Sequence, residues 1–231
     1  MQVHTSALLS LQLLFAAGSS PLPWCTEGFT IVGFSLGGGS AMDFIASFPW
    51  LVRSVCLLAP TGLLRGLPQS YLDLKQAVRE ERSEKEVRRL MAVAQDVDFS
   101  MLEDEKSYVE KKLIGQAYGA GMDMVQWQYS CHQGHAASFA STLLYGPVMG
   151  QEDAWREACR VLREKHTAGQ ETVIMIGGDE DTIVPFRHVC EDLDRYLGKG
   201  LYHAETAPGG HGFPLKEGQR IVDILGRAWN L

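Results

Sequence analysis

Short apolar runs that end in turn residues recur near both ends of the chain, whereas the middle has a helical and charged pattern. The runs lie at residues 29–33, 53–58, 172–176 and, more weakly, 200–204. Helical patterns follow the later runs at residues 186–196 and 217–229. Between the first two runs, residues 42–48 form a helical segment that stops before Pro49. The order strand, helix, strand predicts an α/β fold with a parallel sheet.

A long segment between the second and third runs lacks strand patterns and instead predicts helices. Residues 79–89 are dense in alternating charges, with apolar residues at helical spacings around them. The helical pattern continues through residues 101–129, 136–144 and 153–165. We therefore expect a helical insertion at residues 65–165, within a core formed by residues 1–64 and 166–231.

Composition and charge narrow the class of protein. The chain has 231 residues, 45% of them hydrophobic and 21% charged, which is typical of a globular protein with one domain and a large insertion. Acidic residues outnumber basic residues, 28 to 21, and the formal net charge is -7. Because no basic surface is available to attract phosphates or anionic lipids, we expect binding neither to nucleic acid nor to a membrane.

The spacing of cysteine and histidine indicates neither a disulfide framework nor a metal site. The five cysteines are scattered, and no two of them form a C-x-x-C pair. Cys131, His132 and His135 form the sequence C-H-x-x-H, which lacks a further spaced ligand and lies in the predicted insertion. Packing or pocket lining is the interpretation we favour for them. We expect no metal, no cofactor and a reducing compartment.

Residues 7–18 form an apolar stretch with two interpretations. The stretch resembles the centre of a secretory signal, but no Lys or Arg precedes Arg53. Its leucines also suit a buried helix at about residues 6–17, closed by the turn residues that follow, and we favour this helix. The stretch is too short to span a bilayer. A cytoplasmic protein is expected, with secretion through an atypical signal as the alternative.

The sequence Gly33-Phe34-Ser35-Leu36-Gly37 directly follows the first predicted strand and opens a helix. A G-x-S-x-G motif in this position is typical of a nucleophile elbow, in which small residues at Gly33 and Gly37 let the strand and the helix approach each other. The start of a helix presents free N–H groups and a partial positive charge, so the Leu36 amide is expected to stabilise an oxyanion. Ser35 is the candidate nucleophile, and a plain glycine-rich turn is the alternative.

A serine nucleophile requires a base and a carboxylate, and both occur later in the chain. The loop after the third predicted strand contains Asp179 and Asp181. His211 lies in a glycine-rich loop after the fourth predicted strand. The order of serine, acid and histidine is the one found in hydrolases that carry the elbow on a parallel sheet.

These motifs together resemble the lid-bearing α/β-hydrolases over residues 29–229, with an elbow G-F-S-L-G, an acid loop G-D-E-D-T-I-V-P and a histidine loop G-G-H-G-F-P. In that family the acid is the aspartate followed by two residues and Val-Pro, which corresponds to Asp181 and leaves Asp179 as the alternative. The resemblance implies an α/β-hydrolase-like sheet, here the C-terminal portion of the fold, with a helical lid. It also implies catalysis by Ser35, Asp181 and His211.

Two segments of the insertion are similar, more weakly, to lids of fungal-type members. They are Trp127-Gln128-Tyr129 and the segment from His132 to Pro147. We expect a substrate pocket lined by Phe34, Trp127, His132 and Phe139. The implied partner is a small, largely apolar molecule with an ester, a thioester or an activated carbon–carbon bond.

The sequence departs from the family pattern before the nucleophile. Only 34 residues precede Ser35, whereas the family has further strands there and a His-Gly loop that donates a second oxyanion N–H. Loss of one such donor costs about a hundred- to a thousandfold in rate. The alternative to an active serine hydrolase is therefore an N-terminally truncated, catalytically deficient homologue that binds a ligand or has no function. An open edge on the nucleophile strand would also favour self-association.

Overall fold

The computed structural model describes residues 15, 18–94, 134–166 and 173–229. The described helices and strands, in chain order, are α1 (Trp24–Glu27), β1 (Phe29–Phe34), α2 (Leu36–Ser47), β2 (Val52–Leu58), α3 (Gln69–Arg79), α4 (Glu84–Ala94), α5 (His135–Tyr145), α6 (Glu152–Lys165), β3 (Val173–Gly178), α7 (Phe186–Tyr196), β4 (His203–Ala207) and α8 (Gly218–Trp229). Short 3-10 helices occupy Pro49–Leu51 and Phe213–Leu215.

The described strands form one parallel sheet in the order β1-β2-β3-β4. This arrangement confirms the predicted α/β class and the parallel sheet. β2 and β3 are buried along nearly their whole length, as expected of strands between two others. β1 pairs with β2, and within the described ranges no strand pairs with its other edge; Thr30 and Val32 on β1 are exposed. Self-association through this edge stays a prediction.

The last strand begins later than the sequence pattern predicts, at residue 203 instead of residue 200. Gly198 and Gly200 have φ angles of +118° and +76°, in the left-handed region that glycine favours. The Leu201 N–H donates to the Gly198 carbonyl at 3.3 Å. A turn therefore occupies the residues that were predicted to start the strand.

The main apolar core joins the inner strands to the helices packed on them. α2 and α6 pack against each other and against β2, and α8 packs against β3 and β4. Phe44, Trp155 and Phe213 are almost fully buried in this core. Burial of apolar area stabilises such a core by about 25 cal/mol per Å². The strand ends therefore provide a rigid base for the loops that follow them.

The chain divides into two compact units, of which one holds the sheet and the other comprises residues 66–145. The second unit contains α3, α4 and α5, and it has its own apolar core around Leu74, Met91 and Leu143. α6 belongs to the unit with the sheet, because Trp155 and Leu162 are buried in the main core. The predicted insertion at 65–165 is therefore longer than the second unit, because it also includes α6. A lid function of residues 66–145 stays a prediction.

The N-terminal helix predicted at about residues 6–17 lies, except for position 15, outside the described residues. The whole helical pattern at 101–129 lies outside them too, because residues 95–133 are not described. In the part of the chain that is described, no helix combines the length and the apolar character needed to cross a membrane.

Candidate active site

Ser35 occupies the turn between β1 and α2, with φ 51° and ψ -117°. Residues other than glycine rarely adopt these backbone angles, so the neighbouring structure must hold Ser35 in this conformation. The Ser35 N–H donates to the Leu58 carbonyl at 2.9 Å, and the Ser35 carbonyl accepts from the Gly38 N–H at 2.9 Å. The turn is therefore tied both to the end of β2 and to the first turn of α2.

Only one of the two glycines of the G-x-S-x-G motif lies where a side chain would clash with its neighbours. A Cβ at Gly33 would lie 2.6 Å from the Gly37 carbonyl oxygen and 2.8 Å from the Gly38 Cα, so the strand and the helix need a glycine there. A Cβ at Gly37 would have no atom within 4 Å. The second crowded position is Gly38, where a Cβ would lie 2.5 Å from the Cβ of Pro60. The expectation that Gly37 must be small is therefore wrong. The residue that must be small on the helix is Gly38, because Pro60, in the loop that follows β2 (the β2 exit loop), packs against it.

His211 lies between the serine and an aspartate. Its Nε2 is 2.8 Å from the Ser35 Oγ, and its Nδ1 is 2.8 Å from the Asp181 Oδ2. The His211 side chain is 20% exposed and the Asp181 carboxylate is fully buried. The structure thus brings Ser35, His211 and Asp181 together, as the sequence predicts.

The buried Asp181 carboxylate is satisfied by hydrogen bonds. Its Oδ1 accepts from the backbone N–H groups of Ile183 at 2.9 Å and Val184 at 2.8 Å, while Oδ2 contacts His211. Such bonds offset the free-energy cost of removing a carboxylate from water. The loop before α7 therefore orients the carboxylate toward the imidazole.

Asp179, the alternative acid, has a different partner. Its Oδ1 accepts from the Gly209 N–H at 2.8 Å, and its own N–H donates to the Ala207 carbonyl at 3.0 Å. The Glu180 N–H also donates to the Gly209 carbonyl, at 3.1 Å. Asp179 therefore ties the acid loop to the loop that carries His211. Sequence reasoning missed this role, because no local pattern shows which loop a carboxylate reaches.

The structure describes two of the four predicted pocket residues, Phe34 and Phe139. Phe34 lies next to His211, with ring centroids 5.2 Å apart and the ring planes 33° from parallel. Phe139 is part of α5 in the second unit, where its ring lies 6.5 Å from that of Tyr71. Trp127 and His132 lie outside the described residues. Only the proximity of Phe34 to the site is therefore observed, and the pocket stays a prediction.

Burial makes two thiols poor rivals to Ser35 as nucleophiles. Cys56 and Cys159 are fully buried, and burial raises the pKa of each thiol to about 12. At pH 7 both thiols are therefore protonated, and the thiolate is the nucleophilic form of cysteine. Across the described residues, no three His, Cys, Asp or Glu side chains cluster so as to hold a metal ion. Cys131 and His132 of the C-H-x-x-H sequence lie outside those residues.

The arrangement can move a proton and stabilise charge. Ser35 Oγ is within hydrogen-bonding distance of His211 Nε2, so the imidazole can accept the hydroxyl proton while Asp181 stabilises the resulting imidazolium. Leu36 is the first residue of α2, and its N–H has no partner within the helix. This N–H, at the positive end of the helix dipole, is suited to an oxyanion formed by attack of Ser35.

Comparison with known proteins identifies the fold. No family model matches the sequence, and no curated protein is similar to it in sequence. The structure is similar to that of the meta-cleavage product hydrolase CumD from Pseudomonas fluorescens IP01, with a TM-score of 0.58 and 16% identity over 99% of this chain and 73% of that one. The esterase RhEst1 from Rhodococcus sp. ECU1013 gives a TM-score of 0.58 and 17% identity over 98% of this chain and 73% of that one.

A third similar structure is the naproxen esterase from Bacillus subtilis, with a TM-score of 0.52 and 14% identity over 98% of this chain and 67% of that one. At such identities, the similarity concerns the fold. The chain has the α/β-hydrolase fold.

Proposed function

We propose that this protein is a serine hydrolase in which Ser35 is the nucleophile, His211 the general base and acid, and Asp181 the carboxylate that orients His211. The observation that carries the proposal is the pair of 2.8 Å contacts from His211, one to Ser35 Oγ and one to Asp181 Oδ2. The α/β-hydrolase fold supports it, because the similar solved structures are named as hydrolases and esterases.

The reaction proceeds in two halves. In the first, Ser35 Oγ forms a bond to the carbonyl carbon of the substrate as its proton passes to His211 Nε2, and the carbonyl oxygen takes the electron pair. The Leu36 N–H stabilises this oxyanion. When the oxyanion's electron pair re-forms the C=O bond, the C–O bond to the alcohol breaks, and the protonated imidazole gives its proton to the leaving alcohol oxygen. In the second half, His211 takes a proton from water, the hydroxide attacks the acyl carbon, and Ser35 Oγ leaves with the proton.

The substrate we propose is a small, largely apolar ester. Phe34 places an aromatic ring 5.2 Å from the His211 ring, which favours an apolar group next to the reacting carbonyl. The names of two structurally similar esterases support an ester over other bonds. A thioester or an activated carbon–carbon bond could be cleaved by the same groups, and the substrate panel below distinguishes them.

The proposal is tested with a fluorophosphonate probe and a panel of p-nitrophenyl esters, acyl thioesters and vinylogous 1,5-diketones. We expect the wild-type protein to be labelled and to hydrolyse the short and medium-chain esters. Ser35→Ala should abolish both, with a loss of about 10⁴-fold or more in kcat. Ser47→Ala, at an exposed position on the same helix α2, is the matched control and should keep both. Equal labelling and turnover in Ser35→Ala would refute the proposal.

A further inference from the structure

The carbonyl of Ser35 is held from outside its own helix by Thr61, in the loop that follows β2. The Thr61 N–H donates to the Ser35 carbonyl at 2.9 Å, and the Thr61 Oγ1 is 3.4 Å from the same oxygen. The other short bond to this oxygen comes from Gly38, within the turn itself. Thr61 thus ties the nucleophile to a neighbouring strand end.

Thr61 is itself anchored at a third segment. Its side chain is buried, and Oγ1 donates to the Pro147 carbonyl at 3.0 Å. The segment around Pro147 is fixed by backbone bonds: Gly62 N–H donates to the Val148 carbonyl at 2.9 Å, and Gln151 N–H donates to the Gly62 carbonyl at 3.0 Å. Because a hydroxyl has one proton, the shorter contact to Pro147 is the main bond of the side chain.

The space around Thr61 leaves it little freedom. A Cβ at Gly39 in α2 would lie 2.7 Å from the Pro147 carbonyl oxygen and 3.0 Å from the Thr61 Oγ1. The helix, the β2 exit loop and the Pro147 segment therefore meet closely at this hydroxyl. A residue at 61 without a hydroxyl would leave the buried Pro147 carbonyl without its hydrogen bond, which favours a shift of the loop.

Such a shift would reach the nucleophile directly. Ser35 has a positive φ of 51°, and a strained residue keeps its conformation only where its surroundings hold it. If the Thr61 N–H moves away from the Ser35 carbonyl, the turn can relax, and Ser35 Oγ then leaves its place beside His211 Nε2.

We propose that Thr61 is a positioning residue for Ser35: its hydroxyl, anchored on the Pro147 carbonyl, holds its N–H against the nucleophile's carbonyl. The kinetic part of this inference rests on the proposed serine hydrolase, whereas the spectroscopic part does not. Nothing in the motif G-x-S-x-G points to Thr61, which lies 26 residues after Ser35.

The kinetic experiment compares Thr61→Val, Thr61→Ser and Thr30→Val. Valine keeps the shape of threonine without its hydroxyl, and serine keeps the hydroxyl. We expect Thr61→Val to lower kcat by roughly 10- to 100-fold with KM nearly unchanged, because misplacement of a reacting group by about 1 Å has effects of this size. Thr61→Ser should restore kcat to within about threefold of wild type, since the hydroxyl is the group that acts.

Thr30→Val is the matched control. It removes the hydrogen bond of 2.6 Å between the hydroxyls of Thr30 and Ser54. These residues lie on β1 and β2, the strands that lead to Ser35 and Thr61, but at the start of β1. A threonine-to-valine change at this position should leave kcat within about twofold of wild type, because it touches no group near the nucleophile.

The second measurement does not depend on turnover. The ¹⁵N chemical shifts of the His211 imidazole, at one fixed pH, report on its hydrogen bond to Ser35, and Ser35→Ala gives the spectrum without that bond. Thr61→Val should move the His211 signals toward those of Ser35→Ala, whereas Thr61→Ser and Thr30→Val should keep the wild-type signals.

The outcomes separate the two proposals. Wild-type signals and wild-type kcat in Thr61→Val would overturn the positioning role, and so would equal losses in Thr61→Val and Thr30→Val. If the wild-type protein hydrolyses nothing in the panel while Thr61→Val still shifts the His211 signals as expected, the proposed function fails and the positioning role holds. If Thr61→Val does not fold, the proposal requires that Thr61→Ser folds with wild-type kcat and His211 signals, and loss of either overturns it.

Discussion

Asp179 and Asp181 lie in one loop, but their carboxylates contact different groups. Asp181 is buried and contacts His211, while Asp179 ties down the Gly209 N–H. An asparagine at either position keeps an oxygen that accepts from the backbone. At Asp181 it removes the negative charge next to the imidazole, and its amide can force the wrong tautomer on His211. At the residue scale, the negative charge is the important property of Asp181, and the hydrogen-bond acceptor is the important property of Asp179.

This difference predicts the effect of two matched substitutions on hydrolysis of the best p-nitrophenyl ester. We expect Asp181→Asn to lower kcat by about 10⁴-fold. Asp179→Asn should lower it by less than about 10-fold, because the bond from Gly209 is kept. A larger loss in Asp179→Asn than in Asp181→Asn would reverse the assignment of the acid.

At the scale of elements, β1, the elbow and α2 pack closely where the strand passes into the helix. Gly33 lies close to the backbone of Gly37 and Gly38, and Gly38 lies close to Pro60 as well. Gly37 itself points to open space. The strand-to-helix turn therefore tolerates a side chain at Gly37 and not at Gly33.

Alanine at each of these glycines tests that asymmetry by equilibrium urea unfolding. Gly33→Ala should lower the free energy of unfolding by about 1–3 kcal/mol, since its Cβ would overlap backbone atoms that cannot move freely. Gly37→Ala should change it by no more than about 0.5 kcal/mol, because the new methyl group meets nothing. Equal destabilisation by both substitutions would contradict the packing described for this turn.

At the scale of the whole molecule, each compact unit has its own apolar core. Leu74 is fully buried in the unit of residues 66–145, and Leu193 is fully buried in the unit that holds the sheet. Regions with separate cores can open with separate free energies. A core substitution in one unit should therefore weaken that unit first.

Hydrogen exchange measured by mass spectrometry tests this separation. Leu74→Ala removes buried apolar volume and should cost its unit about 2–5 kcal/mol, which speeds exchange in α3, α4 and α5. Exchange in β2 and β3 should stay close to that of wild type. Leu193→Ala is the matched control and should give the opposite pattern. If either substitution speeds exchange equally in both units, the chain unfolds as one cooperative body.

The sequence by itself was enough to predict the α/β class, the parallel sheet and the positions of Ser35, Asp181 and His211. Most of these predictions rest on local patterns, since an apolar run predicts a strand and the residues directly after the run lie at its carboxyl end. The choice of Asp181 over Asp179 rests on the resemblance to the α/β-hydrolases. The helix at 186–196 was also predicted with the bounds that the structure has. Each of these features depends on residues that are near one another in the chain.

What the tertiary structure decided are contacts between distant segments. The partner of Asp179, the crowding at Gly38 and the bond from Thr61 to Pro147, which spans 86 residues, all depend on how loops from different strands meet. The later start of β4 has a local cause instead, because Gly198 and Gly200 take positive φ angles and the Leu201 N–H closes a turn on the Gly198 carbonyl. Periodicity describes how a segment relates to its neighbours in sequence, and it carries no information on which remote backbone atom a side chain will reach. Those choices are made by packing, once the strands have come together.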